Sequence, residues 1–223
     1  MRKLGVVTIG QAPRADVGPI LEKYIGDKAQ IIQVGVLDGL SKAEIDDAFS
    51  PGQDDCILTS RLLSGESAVM SSDKVAPVLQ AKIDQLEEAG CRHILVLCTG
   101  TFEGLTAKQA LLIEPDQIIQ STLSAMLKHK KLGVIVPLLE QQEALSGQWG
   151  GGLSAVYSAA SPYAAGPSGI EQAAEKLAGE GVDAILLDCM GYVEEHKAIA
   201  EAKANLPVIL SNALVAKIVS ELF

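Results

Sequence analysis

The sequence predicts an α/β fold of two pseudo-symmetric lobes, each built on a mainly parallel sheet, with a β-hairpin inserted in the first. Three observations carry this. First, HILVLCTGTFE (His93 to Glu103) aligns without a gap on AILLDCMGYVE (Ala184 to Glu194), matching Ile94 with Ile185, Cys98 with Cys189, Gly100 with Gly191 and Glu103 with Glu194. Each segment follows a glycine (Gly90, Gly181), runs apolar and breaks at Cys-x-Gly, the pattern of a buried parallel strand that ends in a glycine-bearing loop. Second, KLGVVTI (Lys3 to Ile9) nearly repeats as KLGVIVP (Lys131 to Pro137), so the two halves resemble each other at two places in the same order. Third, short apolar runs alternate with helix-period segments, which implies parallel sheets. The first half has more residues between its two motifs, and the excess falls where a hairpin is expected.

In chain order, Leu4 to Ile9 is the first strand, closed by Gly10. The chain turns through Gln11 to Arg14 into a helix carrying Ile20, Leu21 and Tyr24, with proline near its start, where a missing N–H costs nothing. Gln30 to Leu37 is a second strand ending at the Asp38-Gly39 turn. Ser41 and Glu44 form a capping-box pattern opening a helix to Phe49. Cys56 to Leu63 and Ser67 to Ser71 flank Ser64-Gly65-Glu66 as a hairpin. Asp73 to Ala89 has helical spacing and stops at Gly90. Beyond Glu103, a helix after Pro115 carries Ile118, Ile119, Leu123 and Met126. The second half continues with a glycine-rich loop, Gly147 to Gly152, holding Trp149. A strand from Leu153 to Ala159 and a proline-bearing loop from Ser161 to Gly169 come next. Ser168 and Glu171 form another capping-box pattern. A helix from Val193 to Ala204, a strand from Pro207 to Leu210 and a terminal helix capped by Ser211 or Asn212 complete the chain.

Composition narrows the partners. The 223 residues are 48% apolar, ample for a packed core, with a formal net charge of −10. That charge disfavours nucleic acid and anionic membrane, both of which need a basic face. The N-terminal apolar run is cut short by Gln11, Pro13 and Arg14, too soon for a signal peptide or a membrane span. Four cysteines without framework or CxxC spacing read as reduced thiols in a cytoplasmic protein, with no metal site. Neither a G-x-G-x-x-G nor a P-loop pattern supports a nucleotide, and no cofactor is expected.

Parallel sheets bind ligands beyond their C-terminal strand ends. The candidate site therefore collects Thr8, Gly10, Gln11 and Arg14; Cys98, Thr99, Gly100 and Thr101; Cys189, Met190, Gly191 and Tyr192; and Asn212 beside Ser211. Cys98 and Cys189 are the candidate catalytic pair. A thiol takes a proton as thiolate and returns one as thiol, so two of them on opposite faces of a carbon would racemise it without a cofactor. Alternatively, one thiolate adds to an unsaturated substrate while the other thiol protonates the neighbouring carbon. Each cysteine taken alone reads as apolar filler. Arg14, near a helix start, is the candidate for holding a carboxylate or other small anion, against a bland role in solvent. Thr99 and Thr101 either donate to that carboxylate or cap a helix. Asp188 alternates away from the thiol and reads as support. His196, a helical turn beyond Tyr192, either reaches the cleft or, as the favoured reading, is solvated surface; His93 and His129 read as structural or exposed, Cys56 and Cys91 as core. Trp149 is either a lid or an exposed loop residue.

TIGQAPRADV (Thr8 to Val17), LGVIVP, LLDCMGY and VILSNALVAKIVSEL together resemble the AroM family, which is in turn similar to the aspartate/glutamate/hydantoin racemase superfamily. The resemblance implies two flavodoxin-like lobes. Residues 1–112 and 212–223 would form the first and 113–211 the second, with an active-site cleft between them and neither metal nor pyridoxal phosphate. By motif match, Cys98 and Cys189 occupy the positions of the superfamily's catalytic cysteines. Those racemases follow the first cysteine with Asn-Thr and the second with Thr, where this chain has Thr99-Gly100 and Met190-Gly191. The departure implies a substrate other than the usual amino acid. The expected function is a cofactor-independent racemase, epimerase or cis–trans isomerase, with decarboxylase also open, acting on a small carboxylate-bearing substrate. The alternative is an inactive small-molecule-binding or regulatory protein of the same fold. A homodimer would be ordinary.

Overall fold

The computed structural model describes residues 2–141 and 149–223. Backbone contacts divide it into two units, Met1–Pro115 with Ala216–Phe223, and Asp116–Val215.

In the first unit, β1 (Arg2–Thr8) lies between β2 (Ala29–Gly35) and β5 (His93–Leu97), and β6 (Leu111–Ile113) pairs on the far side of β5. All three pairings are parallel. The connecting helices are α1 (Gly18–Ile25), α2 (Lys42–Phe49) and α3 (Ser72–Glu88). Antiparallel β3 (Ile57–Arg61) and β4 (Ser67–Ser71) form the expected hairpin, turning at Gly65 with φ +91°. Its buried residues Leu58, Ala68 and Met70 share one core with Ile45, Phe49, Val75, Leu79, Ile94, Val96 and Cys98. Hairpin and cysteine strand therefore meet in a single hydrophobic cluster. Helix α2 opens as its sequence says: Ser41 Oγ accepts the Glu44 N–H, and the Glu44 carboxylate accepts the Ser41 N–H at 2.8 Å.

The second unit uses the same strand order. Central β7 (Lys131–Val136) lies between β8 (Ser154–Ala159) and β9 (Ala184–Leu187), and β10 (Val208–Leu210) pairs beyond β9, again all parallel. Helices α4 (Pro115–Met126), α5 (Ser168–Gly179), α6 (Glu194–Ala204) and α7 (Ser211–Val219) complete the chain, followed by a 3₁₀ turn, Ser220–Leu222.

Local packing repeats with the strand order. A Cβ added at Gly5 would stand 3.0 Å from Leu86 Cδ1 and 3.3 Å from Cys91, and one at Gly133 would stand 3.0 Å from Leu177 Cδ1 and 3.2 Å from Val182. Lys3 Nζ donates to the Ala89 carbonyl and Lys131 Nζ to that of Glu180, each closing the end of the helix that feeds the cysteine strand. Gly90 and Gly181 then turn the chain with φ +86° and +70°, a region open mainly to glycine.

Four expectations need correcting. Strand β6 was not foreseen. Helix α1 starts at Gly18, because Arg14 to Val17 are occupied by a turn held by their own side chains. Helix α5 starts at Ser168 itself after Pro167, so the Ser168–Glu171 box does not form. Cys56 is exposed rather than core, whereas Cys91 is buried. Gly147 and Gln148, the start of the expected glycine-rich loop, lie outside the described residues.

Gly5→Ala and Gly133→Ala each force a methyl against a packed leucine, and each is expected to destabilise the protein by about 1–3 kcal/mol. Urea-induced unfolding followed by circular dichroism would read this. Losses within experimental error of zero in both would contradict the close approach.

Candidate functional site

Each unit brings one cysteine to the end of its second central strand, and in both a glycine N–H two residues on donates to the sulfur. In the first, Cys98 follows β5 and is 8% exposed, and the Gly100 N–H donates to its sulfur at 3.3 Å. In the second, Cys189 is half-buried just beyond β9, and the Gly191 N–H donates to its sulfur at 3.4 Å. A backbone donor on sulfur favours the thiolate over the thiol. Glycine at the third position is a packing requirement. A Cβ at Gly100 would come within 3.0 Å of Leu58 on the hairpin, and one at Gly191 within 2.4 Å of the Tyr163 hydroxyl.

Around Cys189 the support is dense. Ser211 Oγ donates to the Cys189 carbonyl at 3.1 Å, and Asn212 Nδ2 donates to the carbonyls of Met190 and Tyr192 at 3.0 and 2.7 Å. The first residues of α7 thus clamp the cysteine turn. Met190 and Asn212 are buried, and Tyr192 is fully buried with its hydroxyl donated to the Ala160 carbonyl at 2.6 Å. Burial, reinforced by Cys189, Asp188 and Tyr163 nearby, pushes the Tyr192 phenol well above its usual range, so it stays protonated. Tyr192 and Asn212 thus brace the turn. His196 is half-buried rather than solvated. Its Nδ1 accepts the Val193 N–H at 3.1 Å, and burial lowers its pKa despite the opposing influence of Glu195. Tyr163, half-buried with its hydroxyl 3.9 Å from the Cys189 sulfur, was missed in the sequence. It follows β8 by four residues, so the strand-end rule that selected the other candidates would have reached it.

In the first unit, the stretch from Thr8 to Arg14 is heavily bonded within the chain. Arg14 is 4% exposed. Its Nε and Nη2 donate to the two carboxylate oxygens of Asp16 at 2.9 and 2.8 Å, and Nη1 donates to Thr8 Oγ1 and Ser60 Oγ at 3.0 and 3.1 Å. The carboxylate that Arg14 holds here is the chain's own Asp16, and its burial contradicts the bland role in solvent. Gln11 spends its amide on backbone: Nε2 donates to the Leu37 and Leu40 carbonyls, and Oε1 accepts the Leu63 N–H. Gly10 allows close passage of the hairpin, since a Cβ there would meet Ser60 Oγ at 2.3 Å. Thr99 is half-buried and Thr101 exposed.

The loop beyond Cys98 is latched onto α3. Gln80 exchanges two hydrogen bonds with the Thr106 backbone, and the Glu87 carboxylate accepts the N–H groups of Lys108, Gln109 and Ala110. Those three donors lower the Glu87 pKa. Trp149 is tied down by its indole N–H, which donates to Tyr157 Oη at 3.0 Å.

The family model for the AroM protein matches residues 4–223. The chain belongs to the AroM family. Among curated proteins, none matches this AroM chain by sequence. Its fold is that of the racemase-like enzymes. It is similar to the allantoin racemase from Klebsiella pneumoniae (14% identity, TM-score 0.66, 100% of this chain and 87% of that one). It is similar also to the maleate isomerase Iso from Pseudomonas putida S16 (11%, 0.62, 99% and 93%) and to unliganded arylmalonate decarboxylase (13%, 0.60, 99% and 93%). No helix among the AroM chain's described residues is long and apolar enough to cross a membrane, and no cluster of His, Cys, Asp or Glu among them could hold a metal ion.

Two outcomes test this geometry. Asp16→Ala leaves a buried guanidinium without its carboxylate and is expected to cost about 3–5 kcal/mol in denaturant unfolding. A cost below about 1 kcal/mol, the range of exposed pairs, would refute the buried pairing. Glu87 has a depressed folded pKa, so its contribution is present above the ordinary glutamate pKa of about 4.3 and is lost as pH falls through the folded value. Protection factors at Lys108 to Ala110, the hydrogen-exchange rates taken relative to the intrinsic rate at each pH, should therefore fall on acidification. In Glu87→Gln they should be low already at neutral pH.

Proposed function

We propose that this AroM-family chain is a cofactor-independent enzyme of the racemase/isomerase type, acting on a small carboxylate-bearing substrate through Cys98 and Cys189. The observation that carries the reading is the repeated Cys-x-Gly turn: one cysteine at the same strand end of each unit, each with a glycine N–H on its sulfur. Single buried cysteines are commonly inert filler. Two at matching positions, each with a donor that stabilises its thiolate, match the demands of proton transfer.

The chemistry follows from the thiols. One thiolate removes the proton next to the carboxylate, forming S–H as C–H breaks and leaving an enolate-like carbanion. The other thiol protonates that carbon from the opposite face, which inverts the centre and exchanges the roles of the two sulfurs. With an unsaturated acid, the same pair instead adds thiolate to one carbon and a proton to its neighbour. The carbon–carbon bond then rotates, and loss of the same two groups completes a cis–trans isomerisation. Either course needs each sulfur about 3–3.5 Å from its reacting carbon. Structural neighbours named as an allantoin racemase, a maleate isomerase and an arylmalonate decarboxylase support a small substrate with an activated carbon. Met190 and Gly191 after Cys189 leave that turn without side-chain donors and favour a substrate other than an α-amino acid.

The test is incubation in D₂O with a panel of amino acids, hydroxy acids, ureides and unsaturated or malonate-type diacids, followed by NMR. Deuterium incorporation, isomerisation or loss of CO₂ that disappears in Cys98→Ser and Cys189→Ser is the expected result. No turnover across the panel, together with ligand-induced thermal stabilisation that survives both substitutions, would replace this reading with a binding or regulatory protein.

A further inference from the structure

Tyr163 belongs to no motif that the sequence singled out, yet the second unit is built to bring its hydroxyl to Cys189. It sits between Pro162 and Pro167 in the loop after β8. That loop is pinned by the Ala160 N–H, which donates to the Val136 carbonyl at 2.9 Å, and by the Ala160 carbonyl, which accepts the buried Tyr192 hydroxyl at 2.6 Å. Ser161 tightens it further, accepting the Tyr163 N–H on its hydroxyl and the Ala164 N–H on its carbonyl. The phenol then lies over Gly191, where an added Cβ would come within 2.4 Å of its oxygen and 2.7 Å of its ring. Only glycine admits the ring there. The hydroxyl ends 3.9 Å from the sulfur, within reach of a long hydrogen bond to that large atom.

We propose that Tyr163 is a positioning residue that donates its hydroxyl to the Cys189 sulfur and holds this cysteine toward the thiolate. The inference rests on the functional reading of Cys189 and adds to it the residue that tunes the thiol. A thiol and a phenol can share a proton in either direction, but a thiolate only accepts, so the contact favours the ionised sulfur. Asp188 just beyond β9 and the protonated Tyr192 in the following turn also lie close to this corner; the His196 ring on α6 stands edge-on to Tyr192, with centroids 5.8 Å apart. The Asp188 carboxylate opposes a second negative charge on the adjoining residue. Donors are what offset it, and Tyr163 supplies a side-chain donor in addition to the Gly191 N–H.

The experiment reads the thiol directly and needs no substrate. The rate of iodoacetamide alkylation is measured against pH, with Cys98 and Cys189 resolved by peptide mass mapping. Tyr163→Phe keeps the ring and removes the hydroxyl. It is expected to raise the Cys189 midpoint by about half to one pH unit, a slowing of about three- to tenfold at neutral pH, while leaving the Cys98 midpoint unmoved. Gly191→Ala should displace the ring and shift Cys189 the same way; if that variant does not fold, Tyr163→Phe decides alone. A Cys189 midpoint unchanged in Tyr163→Phe, or an equal shift at Cys98, would overturn the proposal. Because alkylation is independent of turnover, this result stands apart from the fate of the D₂O experiment.

Discussion

The close approach of a helix to a strand at Gly5, and again at Gly133, is the constraint on which the rest of each unit depends. A strand residue without a side chain lets Leu86 and Leu177 press onto the sheet. That contact fixes how low each helix rides and therefore where it must end. The lysine two residues before each glycine closes the helix by taking its last free carbonyls, and a glycine with positive φ reverses the chain into the next strand. From that point the parallel register leads up to the cysteine: Leu97 lies opposite Thr8 and Leu187 opposite Ile135, so Cys98 emerges one residue and Cys189 two residues beyond the last pair. The cysteine's position is thus the consequence of a steric contact made at the other end of its own strand.

Beyond the strand ends the two units diverge, and the divergence lies in what presses on the second glycine of each motif. In the first it is Leu58, delivered by the hairpin and continuous with the hydrophobic core that also contains Cys98. In the second it is the Tyr163 phenol, delivered by a proline-bounded loop. One backbone turn is therefore placed in an apolar setting and a hydroxyl-bearing one. The two copies of the turn thus differ in what lies against the glycine, and the Cys189 copy is further held by Ser211 and Asn212.

Much of this was legible in the sequence because the signals were local or repeated. Apolar runs ending at glycine located the central strands, Ser41 with Glu44 located the start of α2, and the gapless match around Cys98 and Cys189 located the two turns. What escaped reading depends on tertiary contact or on very short segments. Strand β6 has three residues, too few for a period to show, and exists because the edge of β5 was open to pair with it. Cys56 looked like the apolar start of a strand, but the ladder begins one residue later and leaves it exposed. Tyr192 lies in the cysteine turn by sequence and Asn212 is bonded to it. Their burial, and hence their work as braces, follows from the α7 start and the Ala160 loop folding onto that turn, which spacing does not encode.

The turn from Thr8 to Asp16 shows how a residue type leaves its partners open. An arginine just after a strand, close to a helix start, has the sequence attributes of an anion receptor. Asp16, two positions on, meets it with a two-pronged contact, and Arg14 Nη1 donates to Thr8 and Ser60. Asp38 meanwhile accepts the N–H groups of Ala12 and Gly35, and Gln11 is bonded to three backbone groups. The segment is a closed polar network that ties strand end, hairpin and the β2 turn into one piece. A ligand carboxylate entering it would have to displace Asp16 from a buried guanidinium, and a displaced buried partner costs several kcal/mol unless it is fully replaced. The arginine therefore serves the fold first, holding Ser60 and the hairpin against Gly10. Through Leu58 of that same hairpin, it helps fix the apolar wall beside Gly100 and Cys98.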